Sequence, residues 1–272
     1  MQKIEKISVL LSIYFKENEI YLDEAFKSLA IQKAMIDEVV AVIDGPISNG
    51  LWRVVRKWDR ELPLKIVELN ENVGLGKALN AGLQACSNDL VARMDTDDIC
   101  LPERFEKQIK MFIRNPELVI IGGAVDEFTE KNNIRKLKKV PCGYDNISKT
   151  IAKRNPFNHM TVMFRKQKII EIGGYNHHYL MEDYNLWLRC YAAGFAMDNV
   201  NDVLVLARAG EEMINRRKGL KYIKSEYELY KLIVDLGINK GVSAKLIFLG
   251  RSLVRLLPKQ LLSSIYNQFL RK

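Results

Sequence analysis

Through the first half of the chain, short aliphatic and β-branched runs alternate with segments of helical apolar spacing. That alternation constrains the fold more than any other feature. Ile7–Ile13, Glu38–Ile43, Leu64–Leu69, Asp89–Met94 and Leu118–Ile121 read as strands, the last halted by Gly122-Gly123. Several of these are apolar throughout, as strands covered on both faces are. Glu19–Gln32, Leu51–Trp58, Gly74–Ala85 and Pro102–Arg114 read as the intervening helices. Leu22, Phe26 and Leu29 share one face of the first, and Leu79 and Leu83 turn inward on the third. The predicted class is α/β, with a Rossmann-like, doubly wound, mostly parallel sheet. Such sheets bind ligands beyond the carboxyl ends of their strands. Asp44 and Asp95 each follow a strand and are expected in one crevice. The second half is less regular: Val125–Thr129, Thr161–Phe164 and Val203–Ala207 read as strands, and Glu182–Ala193 as a helix.

The chain has 272 residues, 48% of them apolar, enough for a sizeable core. A formal charge of +9 suits a polyanionic partner: nucleic acid, a phosphorylated substrate or an anionic membrane. Four scattered cysteines form no CxxC pair, which excludes a zinc knuckle or disulfide framework and points to a reducing cytoplasm. Three histidines without HExxH argue against a zinc hydrolase. Lys3 and Lys6 before Ile7–Phe15 imitate a signal peptide, but Lys16-Glu17-Asn18-Glu19 follows without a small-residue cleavage site. No stretch reaches the roughly 18 uncharged apolar residues of a membrane span.

The densest chemistry lies in Ala92–Arg104, where Asp95, Asp97 and Asp98 directly follow an apolar strand. Such acids suit a hard divalent cation, Mn²⁺ or Mg²⁺, beside a diphosphate. They equally suit a turn that caps the helix starting at Pro102-Glu103. Asp44, in Val-Ile-Asp-Gly-Pro, can accept hydrogen bonds from a base or ribose, or simply form an Asp-Gly turn. Asn72–Gly82 places a glycine turn before a helix, with Lys77 near a phosphate-binding position or in an ordinary helix-start loop. Glu182 and Asp183 open a helix, where acids complement the dipole or serve as a general base. His159 either binds a phosphate or acceptor, or is structural.

The C-terminal segment differs in character. No acidic residue follows Asp235, while Lys240, Lys245, Arg251, Arg255, Lys259, Arg271 and Lys272 interleave with aliphatics. On a helix, Val242, Leu246, Leu249, Leu253 and Leu257 share one side, with Arg251 and Arg255 roughly opposite. This pattern suits a helix lying in the plane of an anionic bilayer, or one packed on the domain with a solvated basic face. Pro258 breaks it, and Leu261, Ile265 and Phe269 continue a second short apolar face.

In order, Ile7–Ser12 with Tyr14, Asp44, Asn72–Asn80, Asp95-Thr96-Asp97-Asp98 with Pro102, His159, Gly173-Gly174-Tyr175 and Glu182-Asp183 with Leu186 and Arg189 resemble family-2 glycosyltransferases of GT-A fold. The resemblance covers about the first 210 residues and reaches a bacterial subgroup that builds O-antigen, capsule or exopolysaccharide repeat units. It implies that Ser12, Tyr14 and Asp44 hold the uridine, with Asp44 on the uracil. Asn72 and Lys77 would line the nucleotide-sugar site, Asp95 would touch ribose or sugar, and Asp97 would ligate Mn²⁺ or Mg²⁺. Asp183, beside Glu182, would be the catalytic base, and His159 and Arg208 would face acceptor or phosphate. Ala209-Gly210 stands where a further histidine ligand sometimes follows, so metal binding is expected to rest on Asp97.

The resemblance implies an inverting UDP-hexosyltransferase acting on a sugar carried by a lipid diphosphate, peripheral on the inner face of the cytoplasmic membrane and without a nucleic-acid partner. Residues 1–210 would form the catalytic domain and 211–272 a basic helical appendage. Without QxxRW or membrane spans, the chain does not match processive polysaccharide synthases. A sugar-phosphate nucleotidyltransferase would need a glycine- and basic-rich loop after the first strand. A nucleic-acid-binding protein would show aromatic-basic stacking surfaces.

Overall fold

The computed structural model of the chain describes residues 6–129, 135–209 and 218–256. Strands β1 (Ile7–Ile13), β2 (Ile36–Asp44), β3 (Leu64–Leu69) and β4 (Leu90–Arg93) alternate with helices α1 (Glu19–Ala30), α2 (Asn49–Trp58) and α3 (Leu75–Ala85). These strands pair in parallel in the order β3-β2-β1-β4. Next come β5 (Ile99–Cys100), α4 (Arg104–Arg114), β6 (Leu118–Phe128), β7 (Arg135–Lys138) and α5 (Tyr144–Ile151). They are followed by β8 (Met163–Arg165), α6 (Lys166–Glu171), α7 (Glu182–Ala192) and β9 (Ala196–Arg208). β8 inserts antiparallel between β4 and β6, β9 runs parallel to β6, and a mixed nine-stranded sheet results.

Strand pleating explains why β1 is apolar throughout. Leu10 packs into one core with Val40, Val42, Leu79, Leu83 and Trp187. Its neighbours Val9 and Leu11 enter the core on the other face, with Phe26, Val55, Phe105 and Phe112. Gly82 lets α3 lie close on the sheet: a Cβ there would stand 2.4 Å from Leu10 Cδ1 and 2.5 Å from Val42 Cγ2.

Two sequence expectations are corrected. Gly122-Gly123 does not halt a strand, because β6 runs through both glycines and absorbs the segment expected to start afresh at Val125. A Cβ on Gly123 would come within 2.5 Å of Leu204 Cδ1, and one on Gly122 within 2.4 Å of Asn199 Oδ1. The glycines are therefore sites of close approach by β9, whose register with β6 shifts there. The helix expected from Pro102 begins instead at Arg104: Pro102-Glu103 form a turn after β5, which pairs with β9.

The C-terminal region forms α8 (Gly219–Asp235) and α9 (Gly241–Leu256). Tyr222, Leu229 and Ile233 of α8 join the same core as Leu186 and Trp187 of α7. His178 Nε2 bonds the Ser225 carbonyl at 2.9 Å, which ties α8 to the turn before α7. The domain boundary expected at 210 and the apolar face at Leu261, Ile265 and Phe269 lie outside the described residues. Among the described residues, no helix is long and apolar enough to cross a membrane.

The face that α9 turns inward is also a correction. Arg251 and Arg255, expected on a solvated or lipid-facing side, pair with the Glu226 carboxylate at 2.6 and 3.3 Å. The Glu226 side chain is 1% exposed and that of Arg255 8%. A carboxylate so deeply buried is costly without cations, and α9 supplies both. The aliphatic side of α9 consequently faces outward.

Candidate active site

The sheet brings the expected nucleotide residues together. Ser12 and Ile13 of β1 sit beside Val42 and Ile43 of β2, so Tyr14 and Asp44 emerge at adjacent strand ends. Asp44 is 2% exposed. Its carboxylate accepts hydrogen bonds from Val73 N at 2.7 Å, Asn72 Nδ2 at 3.0 Å and Gly74 N at 3.2 Å. Asp44 therefore pins the loop that leads into α3, where a free carboxylate was expected. A carboxylate has about four acceptor positions, so one remains. Gly45 makes the turn possible: its φ is +80°, and a Cβ would stand 2.5 Å from Asn72 N. Lys77 is exposed in the first turn of α3.

Asp95, Asp97 and Asp98 leave the end of β4 with carboxylate oxygens all within 4.8 Å of one another. Asp98 is 2% exposed. One of its oxygens accepts from Arg208 N at 2.8 Å, and the other is buried without a hydrogen-bond partner. Asp98 thus anchors the end of β9, whereas the sequence pointed to the start of the next helix. Burial and the charge of Asp95 raise the Asp97 pKa to about 6, and burial with the charges of Asp95 and Asp97 holds Asp98 well above the usual carboxylate range. Acids that resist ionisation when empty, beside an orphaned carboxylate oxygen, fit a divalent cation with hard oxygen ligands.

Arg208 lies under this loop. Its Nε donates to the Asp97 carbonyl at 3.0 Å and its Nη2 to Glu24 at 2.5 Å. Its guanidinium lies 3.8 Å from the Tyr21 ring and 4.7 Å from Phe128. Only 9% of the side chain is exposed. The structure thus gives Arg208 a supporting position at the acidic loop, through which it was expected to face acceptor or phosphate.

Two residues that sequence reasoning passed over complete the cluster. Arg93, 2% exposed, forms an ion pair with Asp95 through Nη1. A buried Arg104 holds the Arg93 carbonyl at 2.7 Å. The signal for Arg93 was available: an arginine ending an otherwise apolar buried strand needs a partner. Glu17, in the loop after β1, hydrogen-bonds Thr96, and desolvation followed by the Asp97 and Asp95 charges raises its pKa to about 7. Glu17 stood in the sequence within Tyr14-Phe15-Lys16-Glu17, with no pattern there that set it apart as a site residue.

Opposite the strand ends, α7 presents Glu182 and Asp183 in its first turn. Leu180, just before it, is the one non-glycine residue with positive φ, 56°, among the described residues. Strained backbone of this kind persists where the surrounding structure holds it. Asp183 accepts a 2.7 Å hydrogen bond from Asn155 Nδ2 and another, also 2.7 Å, from Tyr184 N. Desolvation raises the Glu182 pKa to about 7, and a Cβ on Gly76 would lie 3.3 Å from Glu182 Cγ. Glu182 therefore packs on the start of α3, the helix that carries Lys77.

His159 bonds the Tyr175 hydroxyl at 3.0 Å and packs beside Trp187. Desolvation, with Arg93 as a second cause, holds its pKa well below the usual histidine value. A neutral, hydrogen-bonded imidazole is not a cationic phosphate ligand, so of the expected roles the phosphate one does not fit, and His159 supports Tyr175. Asn80 clamps the Tyr175 backbone with two hydrogen bonds of 2.8 Å. Arg189 holds the carbonyls of Ile172 and Gly174. The glycine-tyrosine turn and the distant asparagine and arginine are thus one support for the wall behind the site.

A model of the family described as "Glycosyl transferase family 2" matches residues 8–173, which carry the strand ends, the acidic loop and His159. The chain belongs to this glycosyltransferase family. It is 49% identical over 261 residues to the amylovoran biosynthesis glycosyltransferase AmsE of Erwinia amylovora, covering 96% of this chain and 98% of the relative. It is 39% identical to the UDP-Gal:alpha-D-GlcNAc-diphosphoundecaprenol beta-1,3-galactosyltransferase of Escherichia coli, covering 98% of this chain and 97% of that one. S. aureus TarS 1–349 in complex with UDP-GlcNAc shares the fold, with TM-score 0.69, 21% identity and coverage of 92% and 73%. The GT-A-like class expected for this glycosyltransferase is therefore the class observed.

Proposed function

We propose that this glycosyltransferase moves galactose or glucose from its UDP-sugar to GlcNAc- or GalNAc-diphosphoundecaprenol, with inversion, in assembly of O-antigen or exopolysaccharide at the inner face of the cytoplasmic membrane. The observation that carries the reading is the acidic cluster at the end of β4, whose three carboxylates converge within 4.8 Å beside a buried, unpartnered oxygen of Asp98. The Escherichia coli relative, named for a UDP-Gal donor and a lipid-diphosphate acceptor, supports the substrate class.

Ser12, Tyr14 and Asp44 hold the uridine, and Asn72 and Lys77 flank the diphosphate at the start of α3. Asp95, oriented by Arg93, contacts ribose or sugar. Asp97, with the open oxygen of Asp98, would hold Mn²⁺ or Mg²⁺, which supplies positive charge beside the departing diphosphate. Asp183 accepts the proton of the acceptor hydroxyl. The hydroxyl oxygen bonds to the anomeric carbon from the face opposite UDP while the bond to the diphosphate oxygen breaks. Asn155 donates to one oxygen of the base and so orients it.

A panel of UDP-sugars with GlcNAc- and GalNAc-diphosphate-lipid acceptors, with and without Mn²⁺, tests the proposal. Metal-dependent transfer of galactose or glucose with an inverted anomeric centre is expected. No transfer from any sugar nucleotide, or a retained anomer, would overturn it.

A further inference from the structure

The outward side of α9 is an exposed aliphatic stripe. Val242, Leu246, Leu249, Leu253 and Leu256 are 73%, 63%, 51%, 63% and 61% exposed. Their spacing places all of them on one face, and exposed Lys245 falls at its edge. The helix is inside out by ordinary standards, because its charged side faces the protein. Arg251 and Arg255 clasp buried Glu226, and Arg251 also donates to the Lys153 carbonyl at 3.0 Å. The Arg251 guanidinium lies 5.4 Å from the ring of Tyr184, the residue after Asp183. The stripe is thus held in a set orientation relative to the helix that carries the base.

We propose that this stripe is the surface by which the enzyme inserts into the headgroup–acyl boundary of a bilayer, with α9 lying in the membrane plane. An apolar stripe this continuous needs an apolar partner. A second copy of the chain is a poor fit. The helix has 16 residues, so the stripe is about 24 Å long and about 10 Å wide, or about 240 Å². A stable dimer buries about 800 Å² per partner. The charge balance of +9 favours an anionic surface, and Lys245 sits where headgroup phosphates would meet it. Because both arginines point inward, contact rests mainly on aliphatic insertion, not on the arginine–lipid pairing the sequence pattern implied. The consequence for catalysis rests on the proposed lipid-linked acceptor: a rigid connection from bilayer to α7 presents Asp183 to a sugar at the membrane surface.

The test uses the full chain and vesicles of phosphatidylethanolamine with phosphatidylglycerol. The wild type should co-sediment and stay largely bound at about 0.5 M salt, where surface charge is screened. Leu246→Gln/Leu249→Gln/Leu253→Gln should reduce the bound fraction about tenfold with unchanged thermal unfolding. It should transfer sugar to a short-chain soluble acceptor at the wild-type rate and slow markedly on acceptor embedded in vesicles. A triple variant that sediments like the wild type, or a wild type that stays in the supernatant, would overturn the proposal. So would a wild-type dimer that the variant splits, which would assign the stripe to a second copy. If no UDP-sugar is transferred to either acceptor, the functional reading fails while sedimentation still decides the role of the stripe.

Discussion

Replacing Asp97 with Asn should stabilise the metal-free protein while removing the charge that would hold a cation. Burial first, and the Asp95 charge second, raise the Asp97 pKa from 3.8 to about 6. At about 1.36 kcal/mol per pKa unit, keeping this carboxylate ionised near neutral pH costs about 3 kcal/mol. The side chain is only partly buried, and solvent screening reduces the figure to about 1–2 kcal/mol. An acid whose folded pKa exceeds its unfolded value carries no such cost below pH ~4. The cost grows from there to pH ~6 and is complete above. Asn keeps the shape without the charge. Asp97→Asn should therefore gain about 1–2 kcal/mol at about pH 7.5, a Tm rise of a few °C for a chain of this size, and nothing at about pH 4. Thermal scans across pH measure this directly. Added Mn²⁺ should raise the wild-type Tm and leave that of Asp97→Asn unmoved. A variant no more stable than the wild type at about pH 7.5, or a gain equally large at about pH 4, would refute the reasoning that crowded carboxylates store this energy.

Two further outcomes follow from the same site. Asp183→Asn should lower kcat by about 10³-fold and leave UDP affinity within about twofold, read by steady-state kinetics and titration calorimetry; full activity would remove the base assignment. Glu17 becomes charged only above about pH 7, so Glu17→Gln should weaken Mn²⁺ binding about fivefold at pH ~8 and hardly at all at pH ~6. An equal effect at both values would show that Glu17 acts through shape alone.

Much of the candidate site's placement was legible because it depends on local order. A strand end followed by an acid marks a crevice in a parallel sheet, and Asp44, Asp95 and Asp97 were found that way. Residues that reach the cluster from elsewhere were harder. Glu17 arrives because β1 lies beside β4, a pairing between segments about eighty residues apart. Asn155 meets Asp183 across 28 residues. His159 illustrates the converse: its sequence context suited a ligand, but it bonds Tyr175, packs beside Trp187 and is held neutral in a half-buried position.

Hydrophobic period and turn chemistry by themselves determined the α/β alternation, the apolar strands and the acidic loop, because each depends on residues a few positions apart. The ordered motifs added the family. Tertiary structure decided matters of facing. Gly122-Gly123 reads as a stop until Leu204 and Asn199 are seen to need the space. The basic side of α9 reads as a wet or lipid-facing surface until Glu226, on another helix, is seen to draw it inward. A one-dimensional pattern shows that a helix has two unlike faces; which face is buried depends on the charge and shape that the rest of the chain presents to it.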